Sequence, residues 1–342
     1  MSIRTTVVGS WWPYADEAEA LAQVHRGELT DAESDTVLNR CAARAIAEQR
    51  ELGFDEWTGG EYFTDAFIMH LQKRLTGVEI DVPMREEEFD YDDLGHMVIT
   101  GEVGCPDGLG YAKAYARERE LEGGVRKATV VGPFEVLISA LDQPDAIQRE
   151  LPNVIRIVNQ EVRDLAAAGC PHVQLDVPVI GSMVNEGRMT AQEGAEMIAA
   201  CLEGVGDGTR RGVHMCNGNN RGRPISSVLR AAPWVPIFQE LDGVVDVANL
   251  ELSYFSEYLE RDAFKDLPDS IELAAGIVDE ANYWPMPVQK IVERATDWAR
   301  VVGEERLWIQ LSCGFGRHSH RDDDRALLRQ KCENVNEAAA KL

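Results

Sequence analysis

Val173-Gln-Leu-Asp-Val177, followed by Thr190-Ala-Gln-Glu-Gly-Ala-Glu-Met-Ile-Ala-Ala-Cys-Leu202 and then Gly212-Val-His-Met-Cys216, reads as strand, helix, strand. The outer runs are short, apolar and β-branched, which is the signal of a buried strand. Between them apolar residues recur at three- and four-residue spacing behind a Thr start, which is the signal of an amphipathic helix. A unit of this kind belongs to a parallel sheet covered by helices.

The alternation extends in both directions. Strand-like runs stand at Thr5–Gly9, Phe54–Thr58, Ala128–Gly132, Val247–Glu251, Glu272–Ile277 and Leu307–Cys313, and helical periodicity at Asp31–Leu52, Asp145–Ala168, Pro287–Val302 and Asp322–Lys341. Strand then helix, repeated about eight times, predicts an α/β fold: a single (β/α)8 TIM barrel over residues 1–342. The stretch Thr76–Glu122 breaks the rhythm. It is rich in Asp, Glu and Gly, with one alternating run at His96–Val103. It is read as an insertion after the second strand, a hairpin and helix over the barrel mouth. An extended arm or a dimer contact is equally compatible, so a homo-oligomer stays open.

With 342 residues, 44% of them hydrophobic, the chain can bury a full core. A formal charge of −25 sets it against nucleic-acid backbones. There is no apolar run of membrane-spanning length and no signal-peptide core after Met1, so neither a membrane span nor secretion is expected, and the expected location is cytoplasmic. The seven cysteines are then expected as thiols. Cys41, Cys105, Cys170, Cys201 and Cys332 read as packed or surface residues, which leaves Cys216 and Cys313.

Those two carry the chemistry. In Gly212–Cys216 side chains alternate, so His214 and Cys216 point the same way, into the barrel, and Met215 points toward the helices. Glu251 ends the next strand and Cys313 the last, and barrel active sites collect at such C-terminal strand ends. Two sulfurs, an imidazole and a carboxylate suit Zn2+ better than iron or magnesium. His318 and His320 form a rival pair that reads as a polar loop.

Other strand ends supply carboxylates: Asp176, Glu61 after Gly59-Gly60, and Asp279. Each can bind a substrate ammonium or move a proton, and each can merely fix a turn or cap a helix. Arg221 and Arg223, after the His-x-Cys strand, can grip an anionic group or remain solvated loop charge. Trp11 and Trp12, beside Ser10 at the first strand end, can wall a substrate pocket or simply pack. No phosphate-binding glycine loop, dinucleotide fingerprint or nucleophile elbow is present.

The strings Thr5-Thr-Val-Val-Gly-Ser10, Gly60-Glu61, Gly132-Pro133, Val173-Gln-Leu-Asp-Val-Pro178, His214-Met-Cys216, Asn249-Leu-Glu251 and Leu307-Trp-Ile-Gln-Leu-Ser-Cys-Gly314 resemble the catalytic barrel of cobalamin-independent methionine synthase and its short single-barrel relatives. The resemblance spans nearly the whole chain. It implies zinc held by His214, Cys216, Glu251 and Cys313, and transfer of a methyl or other alkyl group to a small, homocysteine-like thiol activated as a zinc-bound thiolate. It further implies Asp176 on the substrate amino group; the residues themselves offer Glu61 and Asp279 as further candidate catalytic acids and Ser10, Trp12, Arg221 and Arg223 as candidate substrate contacts.

Three departures stand out. The Asp-Glu-Pro of the family is Asp176-Val177-Pro178, the folate-stacking Trp is replaced around Ser139, and a histidine expected after the seventh strand is absent from Asp279-Glu-Ala-Asn282. With the folate contacts altered, the donor stays open between folate, a corrinoid protein and another methylated compound. Two alternatives share the ligand set: thiolate addition to an epoxide, as in epoxyalkane:coenzyme M transferase, with the arginines on a sulfonate, and a non-catalytic zinc-stabilised barrel.

Overall fold

The computed structural model describes residues 3–64, 71–82, 95–218, 226–315 and 322–342. In chain order the elements are β1 (Arg4–Thr5), α1 (Ala15–His25), α2 (Asp31–Glu51), β2 (Thr76–Val82), β3 (His96–Gly104), α3 (Tyr111–Glu118), β4 (Ala128–Val131), α4 (Pro133–Val136) and α5 (Pro144–Ala167). There follow β5 (His172–Asp176), α6 (Pro178–Asn185), α7 (Ala191–Leu202), β6 (Arg210–Met215), α8 (Val235–Glu240), β7 (Val247–Glu251), α9 (Phe255–Leu259), β8 (Glu272–Val278), α10 (Val288–Val302), β9 (Leu307–Leu311) and α11 (Asp322–Ala339).

Seven strands form one parallel sheet in the order β1-β9-β8-β7-β6-β5-β4. The gap between β4 and β1 is bridged by residues 54–58, expected from sequence as a strand but not a regular one. Its backbone still reaches both neighbours: Asp55 N donates to Thr5 O at 3.1 Å, and Arg126 N and Lys127 N donate to Trp57 O at 3.0 and 3.2 Å. A continuous ladder fails because side chains take the remaining backbone groups. Gln49 binds both Thr58 N and Thr58 O, at 3.0 and 3.1 Å, and the Asp55 carboxylate accepts from Thr5 N at 2.7 Å. The barrel therefore closes as a (β/α)8 TIM fold with one irregular position.

Helix boundaries follow local chemistry. Thr30 and Thr190 each cap the next helix by accepting from the backbone N–H three residues on, while Glu33 and Glu193 return a carboxylate to the threonine N–H. In α10 the buried residues Ile291, Ala295, Trp298 and Val302 form a single stripe. Trp298 meets Phe264 edge-on at 5.1 Å. Burying aliphatic side chains such as Ile291 contributes about 1.5–3 kcal/mol each, before the entropy of ordering them is subtracted.

Within Thr76–Glu122, β2 and β3 form an antiparallel hairpin and α3 follows. The hairpin lies along α5, where Val103 N donates to Glu150 at 3.0 Å and Ile99 N to Gln143 at 3.1 Å. α3 is fixed to the same helix, with Leu109 N and Ala112 N on the Glu161 carboxylate at 2.8 Å each. The sequence run His96–Val103 thus lies within β3.

The inside of the barrel is unusually polar. Val247, Ala274 and Trp308 make a small apolar layer. Beyond it lie buried Lys127, His172, Gln174, Asn249 and Gln310. Gly212 is required at this level, because a β-carbon there would run into the His172 ring and stand 3.0 Å from Asn249 Nδ2. Lys127 donates to Thr6 Oγ1 at 3.1 Å, to Gln174 Oε1 at 3.0 Å and to Val7 O.

Candidate metal and substrate site

β6 ends with His214 and Met215, and Cys216 follows. As strand alternation requires, Met215 is fully buried away from the axis while His214 and Cys216 share the interior face. Cys313 stands two residues beyond β9. One ligand atom each from His214, Cys216 and Cys313 fall within 4.8 Å of one another. Ligand atoms of a tetrahedral zinc site stand roughly 3.5 Å apart, given bond lengths of about 2.0–2.3 Å, so a small closing movement would suffice.

The imidazole is oriented for this. His214 Nδ1 lies 3.0 Å from Asn249 O, so it carries the proton, and the buried Nε2 has no hydrogen-bond partner among the described residues. A hydrogen bond from Cys313, together with His214, holds the Cys216 thiol well below its ordinary range, and Cys313 is raised in turn. An orphaned imidazole nitrogen beside a thiolate and a thiol fits a soft divalent cation such as zinc.

Glu251, at the end of β7, is buried but falls outside that group of three. Its Oε2 accepts from the backbone N–H of Asn217 at 2.7 Å and from Asn217 Nδ2 at 3.1 Å. Burial, then Cys216 and Glu257, push its carboxyl well above the usual range.

A second cluster lies at the ends of neighbouring strands. Asp176 closes β5 and pairs in register with His214. Gln174 Nε2 donates to its Oδ1 at 2.8 Å, and burial raises it to about 6, with His214 and Cys216 both in electrostatic reach. Glu61 follows Gly60, and both adopt left-handed backbone, with φ of 64° and 83°. For a non-glycine residue this costs of order 1–3 kcal/mol. The turn aims the Glu61 carboxyl inward, where Thr129 Oγ1 donates to it at 2.6 Å. Burial first, then Asp176, push Glu61 up to about 7. Two buried carboxyls thus lie within electrostatic reach, Asp176 raising Glu61, and one of them stands on strained backbone.

Asp279 is half-buried and accepts from Ala281 N at 2.8 Å, forming a turn. The buried acid there is its neighbour Glu280, bonded to Ser312 and raised to about 7 by burial and by Asp279. Sequence reading missed Glu280, and it missed Glu257, Asn217 and Thr129 as partners. Both acids lie beyond the end of β8, where strand parity no longer assigns faces.

Ser10 lies against Gly314, next to Cys313, and its carbonyl accepts from Phe315 N at 3.1 Å. Trp12 is buried; it lines a small cavity with Trp11, Phe315 and Arg325 of α11, and its carbonyl accepts from Arg325 at 2.6 Å. Arg221, Arg223, His318 and His320 lie outside the described residues. No helix among the described residues is long and apolar enough to cross a membrane.

The family model for the catalytic domain of cobalamin-independent synthase matches residues 3–340. The chain is 22% identical over 352 residues to a 5-methyltetrahydropteroyltriglutamate–homocysteine methyltransferase of Rhodopseudomonas palustris, covering 99% of this chain but only 41% of that relative, so it spans less than half of that long protein. With a methionine synthase of Saccharolobus solfataricus it shares 24% identity over 319 residues, covering 91% of this chain and 87% of the relative. Among solved structures, a B12-independent methionine synthase from Shewanella sp. W3-18-1 superposes with a TM-score of 0.77 at 17% identity, covering 100% of this chain and 97% of the other. Matched from near its first residue to near its last, the chain belongs to the family of cobalamin-independent synthase catalytic domains.

Proposed function

We propose that this protein is a zinc-dependent methyltransferase that moves a methyl group onto the sulfur of homocysteine or a closely similar amino thiol. The observation that carries this reading is the meeting of His214, Cys216 and Cys313 within 4.8 Å, with the buried carboxyls of Asp176 and Glu61 on the adjoining strand ends. Relatives named as homocysteine methyltransferases and methionine synthases support it. Because the family is cobalamin-independent, a corrinoid donor is not carried forward.

A zinc ion held by the two cysteines and the histidine would keep a substrate thiol deprotonated and nucleophilic at neutral pH. The protein's own groups do the rest. Asp176 and Glu61 take the substrate ammonium, Gln174 and Thr129 fix the two carboxylates, and Ser10, packed against Gly314 beside Cys313, is a further substrate contact. Holding the sulfur at one end and the ammonium at the other leaves the thiol one approach to the methyl carbon. Orientation of this kind can supply about 7–11 kcal/mol in favourable cases. Asn249 O keeps His214 in the tautomer that presents Nε2.

The test is direct: the zinc-loaded protein is incubated with homocysteine and isotopically labelled methyl donors, including methylated folate polyglutamates and simpler methylated compounds. Label appearing in methionine is the expected result. Turnover of none of the donors, with zinc bound and the thiol untouched, overturns the proposal.

A further inference from the structure

Asn217 sits between two buried carboxylates. Its backbone N–H and its side-chain amide both donate to Oε2 of Glu251, at 2.7 and 3.1 Å, and the same Nδ2 donates to Oε1 of Glu257 at 2.7 Å. Two carboxylate acceptors on one end of the amide identify that end as the NH2 group. Glu257 is anchored in turn, its Oε2 accepting from the backbone N–H of Tyr254 at 3.0 Å at the start of α9. Asn217 and Glu257 have no exposed surface and Glu251 almost none. The chain of bonds runs from the loop after Cys216, through Glu251 at the end of β7, to the first turn of α9.

We propose that Asn217, braced by Glu257, is a positioning residue that holds Glu251 by Oε2 and so sets how closely its other oxygen approaches the group formed by His214, Cys216 and Cys313. This rests on the metal reading given above. The geometry explains why Glu251 stands at the expected strand end yet outside the close group: one oxygen is committed to two N–H donors of the residue adjoining Cys216. A carboxylate held in that way has one orientation rather than many, and any approach to an ion must be made with Oε1. Glu257 keeps the amide from rotating away. Outer partners of this kind typically change metal affinity 10–100-fold when removed.

The test measures metal affinity by chelator competition, and coordination by the visible spectrum of the Co2+-loaded protein, in wild type, Asn217→Ala, Glu251→Ala, the double variant and Glu257→Gln. Asn217→Ala is expected to lower affinity roughly 10–100-fold and to alter the Co2+ band intensities, with far-ultraviolet circular dichroism unchanged. In the Glu251→Ala background the same change should have little further effect, because the two act through one group. Glu257→Gln, which keeps one acceptor oxygen for Asn217 but sets its NH2 against the Tyr254 N–H, should retain more affinity than Asn217→Ala. An Asn217→Ala protein that binds metal as wild type does, or one whose loss is equally large without Glu251, overturns the positioning role and leaves the metal site standing. Wild type that binds neither Zn2+ nor Co2+ overturns both.

Discussion

The Glu61 carboxylate occupies the space that a β-carbon on Gly9 would fill, and the same β-carbon would stand 3.0 Å from Thr129 Cγ2. Gly9 is therefore a glycine because an acid from the neighbouring segment lies across it. The prediction is specific: Gly9→Ala displaces Glu61 and breaks its bond with Thr129. Overpacking of this type costs about 1–3 kcal/mol of fold stability, and if loss of the Glu61 position costs the ligand a similar amount, binding of methionine, read by calorimetry, should weaken roughly fivefold or more. Zinc content should be unaffected, and equal methionine affinity in the two proteins would refute the link between Gly9, Glu61 and the ligand.

Cys216→Ser and Cys313→Ser separate catalysis from architecture. Each is expected to drop bound zinc well below one ion per chain and to abolish methyl transfer, while the melting temperature and circular dichroism persist, since the barrel core does not depend on these thiols. Collapse of the fold in both variants would favour an ion that is structural instead.

The Asp176 and Glu61 carboxyls, raised to about 6 and about 7, give a pH signature. An ammonium binds their ionised forms, and the amino group of methionine stays protonated throughout this range. Methionine affinity should therefore rise from pH 5 to pH 8, most steeply between 6 and 7, with Glu61→Gln removing the upper part of the rise. The unliganded fold responds in the opposite sense. Both groups hold protons in the folded chain above their unfolded values of about 4, so their stability contribution falls as pH climbs from there to about 7. Affinity that is flat across the window would remove these carboxyls from ligand binding.

Lys127 supplies a stability test one side chain below Asp176, to which Gln174 links it. It is fully buried and lowered to about 8 by desolvation, against an unfolded value of about 10.4. Below pH 8 it is charged in both states and the burial penalty is complete. Between about 8 and 10.4 the folded form has already released the proton, so stability relative to Lys127→Met should rise with pH. Lys127→Ala should cost about 3 kcal/mol through the cavity and the Gln174 oxygen it leaves without a donor. Urea melts at pH 7 and pH 9.5 measure both effects.

Strand parity and strand ends were legible in the sequence: His214 and Cys216 on one face, Met215 on the other, and Cys313 after the last strand follow from a two-residue period. The position of Glu251 along β7 was legible too, but its engagement with Asn217 was not, because it depends on where one backbone N–H of a loop points. Glu61 was visible as an acid after two glycines. That a non-glycine residue would take the left-handed turn and aim inward was not. Residues 54–58 carried a strand composition and failed to become a regular strand because Gln49 and Asp55, one of them on a helix, competed for its backbone. Asp279 was read as the acid at the strand end, and that its neighbour Glu280 is the buried one, bonded to Ser312, depends on the path of the chain after β8.

Residues 54–58 are the weakest stave of the cylinder, joined to its neighbours by a handful of rungs and pinned by side chains where other staves have a ladder. Thermal breathing should start along that seam. Glu61 follows three residues after its end, so loosening there is expected to reach Glu61 before it disturbs Cys216 and Cys313, which lie just past β6 and β9. Amide exchange that is faster at Trp57 and Thr58 than anywhere on β5 or β6 would be the mark of a protein that releases its ligand from one end first.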